Sequence, residues 1–136
     1  MSYGHTLLDR RFLNPDALPP PIGYSHVVDA PAGRLVYISG QLPLDRNREL
    51  VGAGDVAAQA RQVFENLSAA LSEAGASWSD VVKLGFFLTD LSHVETVRAI
   101  RDEHVDTERP PASTLVEVSR LLSDVLIEVE VIAVKA

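Results

Sequence analysis

The sequence predicts a single α+β domain in which two helices cover one face of a mixed sheet, and three observations predict it. Hydrophobic periodicity alternates between the two-residue period of strands and the 3.6-residue period of helices, in the order strand, strand, helix, strand, helix, strand, strand. That spacing is the pattern of two strand–helix–strand halves folded into one sheet. The apolar residues are mostly Val, Leu, Ile and Ala, with aromatics only 6% of the chain, a balance suited to helices packed on a sheet. At 136 residues, with no internal repeat and no break in composition, the chain 1–136 has the size of one domain.

Thr6 to Leu13 has moderate strand character. Asn14 to Ile22 holds four prolines, which donate no backbone hydrogen bond and favour extended, irregular backbone, so this segment is expected to be an ordered loop or arm. Gly23 to Asp29 predicts a short strand, and Ala30 to Gly33 a turn into a second strand, Arg34 to Ser39; the two should form a β-hairpin. On the second strand Leu35, Tyr37 and Ser39 share one face, and Val36 and Ile38 the other. The strand leaves through Ser39-Gly40-Gln41, where glycine permits a close backbone approach.

Asp55 to Ala74 changes to helical spacing, with Val56, Ala60, Val63, Leu67, Ala70, Leu71 and Ala74 on one stripe and Gly75 placed to end the helix. Ser77 to Asp80 predicts a turn, and Val81 to Thr89 a strand whose core face is Val82, Leu84, Phe86 and Leu88. Ser92 and Glu95 have capping-box spacing and predict a second helix running to about Val105, its buried stripe Val94, Val97 and Ile100 or Arg101. Arg98 falls at the margin of that stripe. Ser113 to Val118 and Val125 to Val134 are strand-like runs a short loop apart, expected as a hairpin-like floor.

Composition excludes several functions. With 19 acids against 12 bases the net charge is −7, a field that repels nucleic acid, and no basic strip with interleaved aromatics offsets it. Without cysteine there is no thiolate ligand, thiol nucleophile or disulfide. The N-terminal residues lack a signal-peptide pattern and no apolar run is long enough to span a bilayer, which predicts a cytoplasmic protein with no membrane partner. His5, His26, His93 and His104 show no paired ligand spacing, so no metal site is expected. No Walker A loop, Gly-x-Ser-x-Gly elbow or Gly-x-Gly-x-x-Gly turn occurs.

Glu128 and Glu130 remain, alternating with Ile127, Val129 and Val131 on the last strand. A carboxylate in a partly closed apolar cleft is suited to acid or base work on water, because desolvation disfavours its charged form. On a solvated face the same two residues are ordinary outer-face acids, and the pattern alone leaves both alternatives open.

Tyr24 after the Pro-rich arm, Ser39-Gly40-Gln41, the run Asp55 to Leu67, Val82-Lys83, Thr89-Asp90-Leu91, Arg109-Pro110-Pro111-Ala112, Val116-Glu117-Val118 and Ile127 to Glu130 together resemble the reactive intermediate deaminase family, RidA/YjgF, formerly labelled L-PSP endoribonuclease. The resemblance covers nearly the whole chain. It implies a chorismate-mutase-like α+β fold, a six-stranded mixed sheet with two helices on one face, and a homotrimer with small-molecule clefts between neighbouring subunits. It also implies hydrolysis of enamines and imines, such as 2-aminoacrylate, to a keto acid and ammonia with neither cofactor nor metal.

By the same resemblance Tyr24 falls on the family's pocket tyrosine, Ser39 and Gly40 on its Ser-Gly-Gln motif, and Glu128 on the glutamate that positions water. The archetypal carboxylate-binding arginine follows Pro-Ala, a position held here by Ser113, with Thr114 and Leu115 where the archetype has Ser and Cys. Arg98 stands at a pocket asparagine and is the candidate for a relocated guanidinium. The chain therefore resembles a divergent member, a hydrolase or deaminase of altered specificity in which 2-aminoacrylate deamination is weak or absent. A non-catalytic trimeric metabolite-binding protein is the alternative, with an endoribonuclease behind it.

Overall fold

The computed structural model describes residues 10–136. Six strands and two α-helices follow in the order β1 Arg11–Leu13, β2 Val27–Asp29, β3 Arg34–Gln41, α1 Val56–Glu73, β4 Val81–Leu88, α2 Val94–Arg101, β5 Ala112–Glu117 and β6 Ile127–Lys135. Of the expected strand at Thr6 to Leu13, the part before Arg10 lies outside the described residues, and Arg11–Leu13 is a strand.

The strands form two sheets instead of one six-stranded sheet. The main sheet has the order β3-β6-β4-β5 and is mixed, with β4 parallel to β5 and antiparallel to β6. The expected hairpin between β2 and β3 does not form, since β2 pairs with β1. The reason is one of reach. Ser25 bridges to Ala112 on β5, at the opposite edge of the main sheet from β3, so the arm starts roughly 14 Å of sheet width away from β3 and β2 folds back on β1. The floor expected from β5 and β6 is likewise not a hairpin, because β4 lies between them and satisfies both.

α1 begins at Asp55, whose carboxylate accepts from the Ala58 amide at 3.1 Å, and ends where Gly75 takes φ +75° and Ala76 N–H returns to the Leu71 carbonyl. Its buried residues include Phe64 and Gln59, which the apolar stripe omits. Gln59 Nε2 donates to the Gly52 carbonyl at 3.0 Å and its Oε1 accepts from Leu126 N–H at 2.8 Å, so the amide joins α1 to the loops on both sides. α2 starts differently from the capping-box expectation. The chain enters it through a 3₁₀ turn, Leu91–His93, which moves the cap forward to Asp90, whose carboxylate accepts from Ser92 N–H at 2.8 Å. Glu95 is thereby released to pair with Arg98, and the helix stops at Arg101, with turns continuing to Val105.

Both helices pack on one face of the main sheet, where Val63 and Leu67 of α1 and Val97 and Ile100 of α2 join Val36, Leu84 and Val129 in one core. Each such side chain contributes about 2 kcal/mol when fully buried. On β4 the core face is Val81, Leu84, Phe86 and Leu88; an irregularity between Val81 and Lys83 moves Val82 off it. Among the described residues no helix covers the other face of the sheet, where Leu35 is 59% and Tyr37 70% exposed. Among the described residues, no helix is long and apolar enough to cross a membrane.

Candidate functional site

β3 and β6 run in register from Arg34 opposite Lys135 to Ile38 opposite Val131, and register resumes with Gln41 opposite Val129. Ser39 and Gly40 thus face the single residue Glu130, a β-bulge that breaks the two-residue alternation. The bulge brings Gly40 against the side chain of Glu128. A β-carbon on Gly40 would lie 1.9 Å from Glu128 Oε2, so a side chain there would displace the Glu128 carboxylate from its place. A second glycine does the same one step away: Gly85 of β4 lies opposite Glu130, and a β-carbon on it would lie 2.9 Å from Glu130 Oε2.

Glu128 is half-buried, and no ion pair or hydrogen bond to another described residue occupies its carboxylate. It borders an open concavity of about 490 Å³ shared with Arg120, Leu121, Leu122, Ser123 and Asp124. Gly40 backs onto a second concavity, of about 520 Å³, which holds Arg46, Arg48 and Asn66. A carboxylate with free oxygens, wedged by backbone and open to water on one side, is equipped to orient and deprotonate a water molecule.

The remaining candidates lie elsewhere. Ser113 is in register with Leu84 and Leu115 with Phe86, which puts both on the helix side of the sheet, while Thr114, in register with Gly85, shares the open face with Lys83, whose Nζ donates to Thr114 Oγ1 at 2.8 Å. Glu128 lies opposite Phe87, and Phe87 beside Val116, so two strand spacings and three residues of β5 separate Glu128 from Ser113, roughly 14 Å. Tyr24 belongs with the Ser113 group. The next residue, Ser25, donates its N–H to the Pro111 carbonyl at 3.1 Å and its hydroxyl to the Pro110 carbonyl, and it bridges to Ala112. The Tyr24 ring stands edge-on to His26, with ring centres 5.2 Å apart. Arg98 pairs with Glu95 at 3.1 Å on the helix margin, its side chain 36% exposed.

Within one chain, therefore, the candidates are spread out, with Ser39, Gly40 and Glu128 together, Tyr24 near Ser113 at the start of β5, Thr114 on the open face and Arg98 at the helix margin. The sequence pattern does not single out the backbone beside Glu128, whereas it does place Arg101 among the candidates for the buried stripe of α2. Ser123 and Asp124 adopt φ of 61° and 54° beside Glu128, in a Ser-Asp pair of the kind turns accept. Arg101 is 6% exposed, and its signal is a charge standing on an apolar helical stripe. Among the described residues no three His, Asp or Glu side chains converge as metal ligands.

The family model described as endoribonuclease L-PSP matches residues 15–135. The 2-iminobutanoate/2-iminopropanoate deaminase of Salmonella typhimurium is 43% identical over 121 residues, 86% of this chain and 91% of that protein. The 3-aminoacrylate deaminase RutC of Acinetobacter baylyi is 36% identical over 126 residues, 93% of this chain and 98% of that one. The crystal structure of YyfB from Yersinia pestis, a protein of unknown function of the conserved Rid family, superposes with a TM-score of 0.83 at 36% identity, covering 93% of this chain and 99% of its own. With the profile matched over most of its length and these relatives aligned nearly end to end, the chain belongs to the endoribonuclease L-PSP family, that of the RidA and RutC deaminases.

Proposed function

We propose that this protein is a small-molecule hydrolase of the deaminase kind, acting on an enamine or imine in clefts completed by neighbouring copies of the chain in a homotrimer with the chorismate-mutase-like arrangement. The observation that carries it is the Glu128 carboxylate, unpaired among the described residues and pressed over Gly40 in the bulge of β3. In the reaction an enamine first tautomerises to its imine. As a water oxygen bonds to the imine carbon, Glu128 takes one of the water's protons and passes it to nitrogen, giving a carbinolamine; the remaining hydroxyl proton then moves to nitrogen as the C–N bond breaks, so that ammonia leaves and a carbonyl remains.

The assembly is supported by two facts. The functional groups of one chain are spread over distant places, and the face that no described helix covers exposes Leu35, Tyr37 and Val116. Specificity is proposed to differ from the archetype because Ser113, a neutral residue, stands where the resemblance places an arginine. Loss of such an ion pair in a semi-enclosed cleft costs on the order of 2 to 5 kcal/mol, several powers of ten in affinity or rate for a carboxylate substrate. The same neutral residue favours a second reading, a trimer that binds a metabolite without turning it over. The net charge of −7 speaks against ribonuclease action.

The test is a panel of imines generated in situ from several amino acids, followed by ammonia release with wild type, Arg98→Ala and Glu128→Gln. Turnover that needs Glu128 supports the hydrolase; ligand-dependent thermal stabilisation with no product from any imine selects the binding protein.

A further inference from the structure

We propose that Arg101, at the C-terminal end of α2, holds the carboxylate of a small ligand beside Tyr24 and Ser113. The inference rests on the proposed deaminase reading and names a cation, supplied from α2 and not from β5, for a substrate that carries a carboxylate. The compounds named for the Salmonella and Acinetobacter relatives, 2-iminobutanoate and 3-aminoacrylate, are carboxylates, and Ser113 brings no charge to meet one.

Arg98 and Arg101 lie one helical turn apart but in different surroundings. Arg98 is engaged by Glu95 at the surface. The Arg101 side chain is 7% exposed, against 36% for Arg98, and its guanidinium lies along the backbone of Gly23, the residue before Tyr24. A β-carbon on Gly23, whose φ is +75°, would lie 2.2 Å from Arg101 Nη2 and 3.4 Å from Nη1, so the arm is packed directly against the guanidinium. The hydrogen bonds of Ser25 to the Pro110 and Pro111 carbonyls tie that stretch of arm to the start of β5, and Ser113 is the second residue of β5. Gly23, Tyr24, Ser113 and the Arg101 guanidinium therefore form one neighbourhood.

The acceptor seen on Arg101 is the carboxylate of Asp102, at 2.9 Å from Nε and 2.8 Å from Nη2, and Asp102 is itself 43% exposed. Nη1 meets no acceptor among the described residues, yet unlike Arg10 Nε it is not a sealed orphan donor. A guanidinium shielded from water binds a carboxylate more strongly than one in bulk solvent, and its planar fork donates to two oxygens at once. A ligand carboxylate arriving at Nη1 and Nη2 would take over from a partly solvated intramolecular partner. Asp102 is in this account a competitor for the site.

The experiment measures binding of 2-oxobutanoate, the keto acid that hydrolysis of 2-iminobutanoate yields, by titration calorimetry on the full chain, with neutral 2-butanone as the control. The expected result is a dissociation constant raised at least tenfold by Arg101→Met, partly restored in Arg101→Lys, lowered by Asp102→Asn and changed less than twofold by Arg98→Ala, with 2-butanone unaffected throughout. Gly23→Ala, which displaces the guanidinium without removing it, should reproduce the loss and stands in if Arg101→Met fails to fold. Unchanged binding in folded Arg101→Met or Gly23→Ala, loss carried by Arg98→Ala, or no binding to wild type would overturn the assignment. Imine turnover with unchanged KM in Arg101→Met would refute Arg101 and leave the hydrolase standing; 2-oxobutanoate binding that depends on Arg101 without turnover of any imine would do the reverse.

Discussion

The backbone of Gly40 lies against the carboxylate of Glu128, and a side chain at position 40 cannot share its place: a β-carbon on Gly40 would fall 1.9 Å from Oε2 and 2.8 Å from Cδ. Gly40→Ala therefore moves the carboxylate by more than an ångström. Turnover should fall on the order of 100-fold, the size of effect expected from misplacing a catalytic group by that distance. Because what moves is the end of a flexible side chain, stability should fall by only about 1 kcal/mol. Imine turnover and urea denaturation on the same preparation check both numbers.

Gln59 is 1% exposed and satisfies one carbonyl and one amide in two different loops. Gln59→Ala should lower stability by about 2 to 4 kcal/mol, since it leaves the Gly52 carbonyl and Leu126 N–H unpaired and opens a void beside them. A urea melt showing less than 1 kcal/mol would mean that water replaces the amide.

Tyr37, in register with Ile132 on the bare face of the sheet, is 70% exposed. If that face is the contact between copies, wild type sediments as a trimer and Tyr37→Asp as a smaller species, with turnover lost along with assembly. A monomeric wild type that retains full activity would remove the shared cleft from the account.

The Asp90 carboxyl is held below the usual carboxylate range, chiefly by hydrogen bonds from Ser92. A carboxyl depressed by folding adds stability above its unfolded pKa, and that stability is lost as pH falls through the lower folded value. The stability difference between wild type and Asp90→Ala should thus be greatest near neutrality and shrink through the acid range. Urea midpoints measured from pH 6 to pH 2 test this, and a difference independent of pH would show that Asp90 acts without its charge.

Much of the fold is legible because periodicity reports burial. Val36 and Ile38 face the core, α1 begins at Asp55 and ends at Gly75, and both helices cover one side of the main sheet. Strand pairing is less legible, since it depends on contacts between residues far apart in the chain: Ser25 bridged to Ala112 sends β2 to β1, and the insertion of β4 separates β5 from β6. The capping of α2 turned on whether Ser92 lies before the helix or inside a 3₁₀ turn, a one-turn difference that the residues Ser92 and Glu95 do not encode. At the site, Ser39-Gly40 was recognisable as a close approach, but its partner Glu128 is supplied by pairing across strands. The burial of Arg101 under Gly23 is equally non-local.

The most direct measurement is the rate of ammonia release from in situ generated imines by wild type and Glu128→Gln at matched concentration, with the fold of both confirmed by near-ultraviolet circular dichroism. The side chains are nearly the same size, so Gly40 and the bulge should accommodate the amide, while the base is lost. A fall of roughly 100-fold or more is predicted, within the range for removing a positioned general base. Full turnover by a folded Glu128→Gln would contradict the central claim.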